Sequence, residues 1–205
     1  SIQSFTGTES FYFYDAISPT VDVSTVNMDI AFRASRYRFD SEESGDYINC
    51  PLDEAQYDLF IQELLSARTI PLRDFETDFE KGVKTSFFEA CLPIEIMAKR
   101  NPQSLSFGPM RPVGIHNPHR DEKPRAVVQL RREDLAGSLY NLVGFQTNLT
   151  FSEQERVFRL IPGLEKAVFT RFGQMHRNSY INSPVLLDAT LQSKSRPDLF
   201  FAGQI

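Results

Sequence analysis

The run from Asp53 to Ala67 constrains the fold most. Tyr57, Phe60, Ile61, Leu64 and Leu65 recur at helical spacing and form one apolar stripe. Asp53 stands where an N-cap carboxylate accepts from the first free backbone N–H groups of a helix beginning at Glu54. Such a stripe is core packing, and the rest of the chain must supply the core around it.

What surrounds it reads mostly as short strands. Phe11 to Ile17 is aromatic and β-prone, and Ser18-Pro19 ends it. Two strand-like pieces follow, at Val21 to Val26 and Asp29 to Tyr37. An extended RASRYR would put Arg36 and Arg38 on one face, with Arg33 and Tyr37 on the other. Asp46 to Pro51 and Ala126 to Leu130 are further strands, and Tyr140 to Phe145 is a strand or a strand-to-loop transition. Pro93 suits the first turn of a short helix through Ala98. Ser152-Glu153-Gln154-Glu155 reads as a capping box opening a helix that carries Val157, Phe158 and Ile161. Leu199 to Ala202 reads as an apolar strand running into Gly203. The fold class expected is α+β, with short strands outnumbering helices.

No apolar run approaches the roughly 20 residues needed to span a bilayer. The first residues lack the basic and apolar regions of a signal peptide, so a cytoplasmic protein is the default. The two cysteines have no CxxC spacing, which argues against a disulfide framework and a zinc ribbon. The sequon at Asn148 is then a chance match. A net charge of −5 excludes a generally basic nucleic-acid binder but permits a local basic patch. Arginines and lysines do cluster, at Arg33 to Arg38, at Lys99 to Arg111 and at Arg120 to Arg132.

Much familiar chemistry is missing. No G-x-G occurs, so neither a dinucleotide fingerprint nor a phosphate-cradling loop is present. His116 and His119 flank a proline, without a carboxylate at regular spacing, and no metal site is expected. Two chemical features remain. Cys91 lies at the entrance to a short helix, where the dipole favours thiolate; flanked by Phe88 and Leu92, it reads equally as a small buried hydrophobe. His176 lies in the polar stretch QMHRNSY, which reads as a ligand-contacting loop or as a packing position. Cys50 reads as a buried structural thiol.

The wording of seven stretches is more specific than their spacing. FFEACLPIEIMA, LSFGPMRPVG, AVVQLRRED, LYNLVGFQTNL, QERVFRLIPGLE, MHRNSYINSP and LFFAGQI occur in this order. Together they resemble the folate- and FAD-dependent tRNA uracil-5-methyltransferases, relatives of the glucose-inhibited division protein A flavoproteins. The resemblance runs from FYDAISP to the last residue. It implies an internal fragment: a substrate insertion plus strands of a Rossmann-type FAD domain whose glycine fingerprint lies outside the chain. Residues 1–20 would lead from the FAD domain, 21–169 would form the tRNA-binding insertion, and 170–205 would return to the FAD domain.

In that family a methylene group from 5,10-methylenetetrahydrofolate becomes the C5 methyl of a T-loop uridine, with electrons from reduced FAD and NAD(P)H as reductant. The resemblance makes Cys91 a catalytic thiol, as attacking group, acid/base or positioning group. It departs at Ala90, where the family has glycine. His176, Arg177, Asn178, Gly203 and Gln204 become cofactor neighbours. Arg33, Arg36, Arg111, Arg131 and Arg132 become candidates for tRNA, because arginine binds phosphate and carboxylate bidentately. The isolated chain is expected to be inactive. A non-catalytic RNA-binding module and a carboxymethylaminomethyl-type tRNA-modification relative are the alternatives, and the FGPM, VGFQTNL and MHRN wording favours the methyltransferase branch.

Overall fold

The computed structural model describes residues 11–37, 45–70, 92–120, 122–181 and 183–202. Eight strands form two antiparallel sheets. Six of them, β2 (Thr20–Asp22), β3 (Phe32–Ala34), β4 (Tyr47–Leu52), β5 (Ala126–Arg132), β6 (Leu139–Leu142) and β7 (Phe169–Arg171), lie in the order β3-β4-β5-β6-β2-β7. The other two, β1 (Phe11–Ile17) and β8 (Gln174–Tyr180), pair as a ribbon with Ile17 opposite Gln174 and Phe11 opposite Tyr180. The helices are α1 (Glu54–Ser66), α2 (Ile94–Arg100), α3 (Ser104–Phe107), α4 (Phe151–Phe158) and α5 (Ser183–Leu186).

Alternation along the strands gives the large sheet two different faces. Ile48, Cys50 and Leu52 on β4, Ala126, Val128 and Leu130 on β5, and Tyr140 and Leu142 on β6 form the inner face, all buried. The stripe of α1 packs on them through Tyr57, Phe60, Ile61 and Leu64. Its start is closed as the sequence predicts: the Asp53 carboxylate accepts from the Gln56 N–H at 2.8 Å, and the Gln56 side chain accepts from the Asp53 N–H at 2.9 Å. Phe145 sits at the centre, 6.1 Å from the Phe60 ring and edge-on to Phe158 at 5.6 Å.

Several local expectations are corrected. Of the Val21–Val26 piece only Val21 and Asp22 are strand, as the end of β2. The Asp22 carboxylate accepts from the N–H and hydroxyl of Ser24 and turns the chain into a 3-10 turn over Val23–Thr25. β3 ends at Ala34, and Tyr37 takes a left-handed φ of 59°, so the predicted alternation does not extend through RASRYR. Helix α4 begins at Phe151 with Thr150 as its cap residue and no side-chain capping bond, so Ser152 and Glu155 lie inside the helix, and Glu153 at the third helical position pairs with Arg68 and Arg156 instead of closing a box. QMHRNSY is strand β8, not a loop. Phe200 bridges Gln192 alone, inside a local fold-back, so the final apolar run is not a regular strand among the described residues.

Phe145→Ala should lower the unfolding free energy by about 3–5 kcal/mol, since three rings lose their shared contact. Asp53→Ala, which removes one cap, should cost about 1 kcal/mol. Urea unfolding of the two variants checks the ranking.

Candidate functional site

Three buried polar clips set the geometry of the site. The first is Glu95, in the first turn of α2 and 2% exposed. Its carboxylate accepts from the Thr147 hydroxyl at 2.9 Å and from the Asn148 N–H at 2.7 Å. Burial pushes its pKa above the ordinary carboxylate range, and these hydrogen bonds pull it part of the way back. The Ile94 N–H also donates to the Gln146 carbonyl at 2.8 Å. Helix α2 is thereby fixed to residues 146–148.

The second clip is Gln154, fully buried on α4. Its amide nitrogen donates to the carbonyls of Leu149 and Gly173, and its oxygen accepts from the Gly173 N–H at 2.7 Å. Gly173 permits this approach because a Cβ there would lie 2.8 Å from both the Ile17 carbonyl and the Thr147 methyl. The foot of the β1–β8 ribbon is therefore seated against the segment that Glu95 holds.

The third clip lies on the outer face. Asn49, fully buried, donates from its amide to the Ala34 carbonyl at 3.1 Å and accepts from Gln129 at 2.9 Å. Gln129 in turn accepts from the Arg36 guanidinium at 2.9 Å. The same guanidinium donates to the carbonyls of Val113 at 2.6 Å and Arg111 at 2.8 Å, tying the FGPMRPVG loop to the sheet. Partial burial and the neighbouring Arg111 lower the Arg36 pKa.

Arg131 and Gln129 stand two apart on β5 and share the outer face. Cross-strand register places Ala34, Tyr47, Arg131, Asn141, Thr20 and Arg171 in one row across all six strands. At the ribbon's foot the row opens into a cleft of about 290 Å³ lined by Ser18, Arg131, Asn141, Gly144, Gln146 and Arg171. Arg171 is matched there by Glu133 and by the Thr20 hydroxyl. Arg131 is exposed, and its guanidinium has no hydrogen-bond or ion-pair partner among the described residues. Polar amides beside an unmatched guanidinium suit a phosphate or carboxylate.

The predicted arginines thus fall into separate groups. Arg36, Arg111 and Arg131 belong to the outer face. Arg33 is on the inner side, donating to the Tyr140 hydroxyl at 3.0 Å with its guanidinium 5.5 Å from that ring's centre. Arg132 folds onto the following turn and donates to the carbonyls of Asp134 and Leu135. On the ribbon, His176, Arg177 and Asn178 stand opposite Asp15, Tyr14 and Phe13 by backbone register. Cys91, Gly203 and Gln204 lie outside the described residues. Cys50 is fully buried, and desolvation pushes its thiol pKa upward. Among the described residues no group of three or more His, Cys, Asp or Glu side chains is placed to hold a metal ion, and no helix is long and apolar enough to cross a membrane. Sequence reasoning missed Glu95, Gln154, Asn141, Gln146 and Arg171. Glu95 left a signal: it is the one acid in LPIEIMA, an otherwise apolar run.

The described residues form an antiparallel six-stranded sheet with its helices and a two-stranded ribbon, with a basic cleft at the ribbon's foot. The chain belongs to the glucose inhibited division protein A family, which it matches over residues 1–205. It is 52% identical over 204 residues to "Methylenetetrahydrofolate--tRNA-(uracil-5-)-methyltransferase TrmFO" of Enterococcus faecalis, covering all of this chain and 45% of that protein. The protein of the same name from Synechococcus sp. (strain JA-3-3Ab) is 54% identical over 205 residues, of which this chain covers 44%. The chain therefore spans less than half the length of these curated relatives. Aquifex aeolicus GidA, in its form I crystal, shares the fold with a TM-score of 0.56 and 18% identity, over 97% of this chain and 31% of that one.

Glu95→Gln keeps one acceptor oxygen and removes the titration. The folded pKa of Glu95 lies above its unfolded value, so the native state holds the extra proton between the two, and this site's contribution to stability falls as pH rises through that window. The variant should flatten that slope in denaturation measured from about pH 4 upward. Glu95→Ala, which strands the Asn148 N–H, should cost about 1–3 kcal/mol at acid pH and less as pH rises through that window.

Proposed function

We propose that the protein containing this chain methylates C5 of a T-loop uridine in tRNA, in the cytoplasm. The carbon comes from 5,10-methylenetetrahydrofolate, and reduced FAD, regenerated by NAD(P)H, supplies the electrons. The observation that carries this reading is identity above 50% along the whole chain to enzymes whose names state the carbon donor, the substrate and the position modified.

The chemical difficulty is that uracil C5 is a weak nucleophile. A thiolate adding at C6 makes C5 enolate-like and able to attack a one-carbon electrophile. Cys91 is assigned to the active site as that thiol. Its motif continues directly into α2, and the Glu95 clip gives α2 a fixed seat against residues 146–148. Residues 21–169 are assigned to tRNA, with Arg131 and its cleft receiving a phosphate or the folate carboxylate. His176, Arg177, Asn178, Gly203 and Gln204 are assigned to the cofactor side. The dinucleotide pyrophosphate is assigned to parts of the intact protein other than the described residues.

The test uses the intact protein, tRNA carrying 5-fluorouridine in the T-loop, and methylenetetrahydrofolate. A denaturation-resistant protein–tRNA adduct should form and disappear in Cys91→Ser. An undiminished adduct in that variant would remove the nucleophile role and leave the enzyme class standing. A protein that binds no flavin and transfers no labelled carbon to tRNA would overturn the class. Arg131→Ala should raise KM several-fold for either tRNA or folate, and the substrate affected identifies the anion that the cleft receives.

A further inference from the structure

Tyr37 combines three features that structural packing alone does not require. It is a bulky residue at a φ of 59°, a left-handed conformation that such side chains rarely adopt. It is 67% exposed, so burial does not reward that strain. Its ring also lies against a glycine. A Cβ built on Gly114 would stand 2.7 Å from Cε1 and 2.9 Å from both Cδ1 and Cζ. Three adjacent ring atoms at nearly equal distance place that point over the ring's face, since an approach to the edge would spread the distances. One face of Tyr37 is therefore seated on Gly114 and the other is open to solvent.

The arrangement is locked from below. The Tyr37 N–H donates to the Gly114 carbonyl at 2.8 Å, and Arg36 grips the carbonyls of Arg111 and Val113 just before that glycine. Among the described residues, the charges beside the ring are those of Arg36 and Arg111. Arg111 is exposed, and its guanidinium has no partner among the described residues. Among the described residues, the charged or titratable groups that act on Arg36 are Arg111, Tyr37 and Tyr47, with no carboxylate among them. An aromatic face held open beside uncompensated arginines is the arrangement that stacks an unpaired base and holds its flanking phosphates.

We propose that Tyr37, seated on Gly114 beside Arg111 and Arg36, is a stacking platform for an unpaired base of the RNA substrate. This rests on the tRNA reading above and deepens it by naming where a splayed base is held. Arg36 is a positioning residue, since its donors are directed into the fold. Arg111 is the phosphate contact.

The test is binding of unmodified tRNA by the intact protein, read by fluorescence anisotropy across a salt series. Tyr37→Phe keeps the ring and should bind within about twofold of the parent. Tyr37→Asn removes the ring but suits a left-handed backbone, so it should melt no lower than the parent while Kd rises about 5- to 150-fold. Arg111→Ala should make the dependence of log affinity on log salt shallower by about 0.7–1. A 2-aminopurine placed in the loop should be quenched by the parent and by Tyr37→Phe, and not by Tyr37→Asn. Unchanged affinity in Tyr37→Asn, with tRNA still bound and methylated, overturns the platform and leaves the enzyme reading intact. A parent protein that binds no tRNA overturns both. A change of oligomeric state in Tyr37→Asn, with RNA affinity unaltered, would make the surface a protein contact and likewise overturn the platform.

Discussion

A buried polar group without a partner is among the most expensive things a fold can contain, and this one places such groups at its joints. Glu95, Gln154 and Asn49 each lie almost wholly out of water, and each bonds backbone from a segment distant in sequence. Glu95 joins the motif that carries Cys91 to the 146–148 segment. Gln154 joins the next residue of that segment, Leu149, to Gly173 and so to the ribbon. Motifs separated by dozens of residues are thus joined through buried hydrogen bonds. A shift in any of them would strand a carboxylate or amide in an apolar surround.

The sheet separates stability from chemistry by the alternation of its strands. Ile48, Cys50, Leu130 and Leu142 serve the core, while their immediate neighbours Tyr47, Asn49, Arg131 and Asn141 face outward. Arg131 and Arg132 are adjacent, yet one opens onto a cleft and the other closes a turn. A protein of net charge −5 can therefore present a positive outer face, since placement rather than total charge sets the local field.

Local patterns carried the three longer described helices and most strands, but not the single turns at Ser104–Phe107 and Ser183–Leu186. The stripe and cap of α1 lie within one short stretch, and β5 opens on the apolar, β-branched Ala126-Val127-Val128, which needs no partner to be recognised. What depended on long-range pairing was hidden. Arg33 and Arg36 do go to opposite faces, as an extended segment implied, but the partner of each, Tyr140 and Gln129, is remote in sequence and was not legible. Ser152 to Glu155 looked like a cap because a capping box is a local pattern, whereas the helix starts at Phe151 and its Glu153 answers Arg68, which is remote in sequence. The strand order was equally out of reach, because β2 inserts between β6 and β7 rather than beside its sequence neighbours. The family wording, by contrast, was legible in full, since its motifs are contiguous.

Cys50 has a practical corollary. Its thiol is sealed beneath the sheet, and the absence of water around it holds the proton on sulfur. In the native protein it is silent to maleimides, disulfide probes and peroxide, all of which require an accessible thiolate. Of the two sulfhydryl groups in this chain, any that such a reagent modifies is Cys91. The fold thereby supplies its own blank for titrating that thiol, with no need to engineer the other one away.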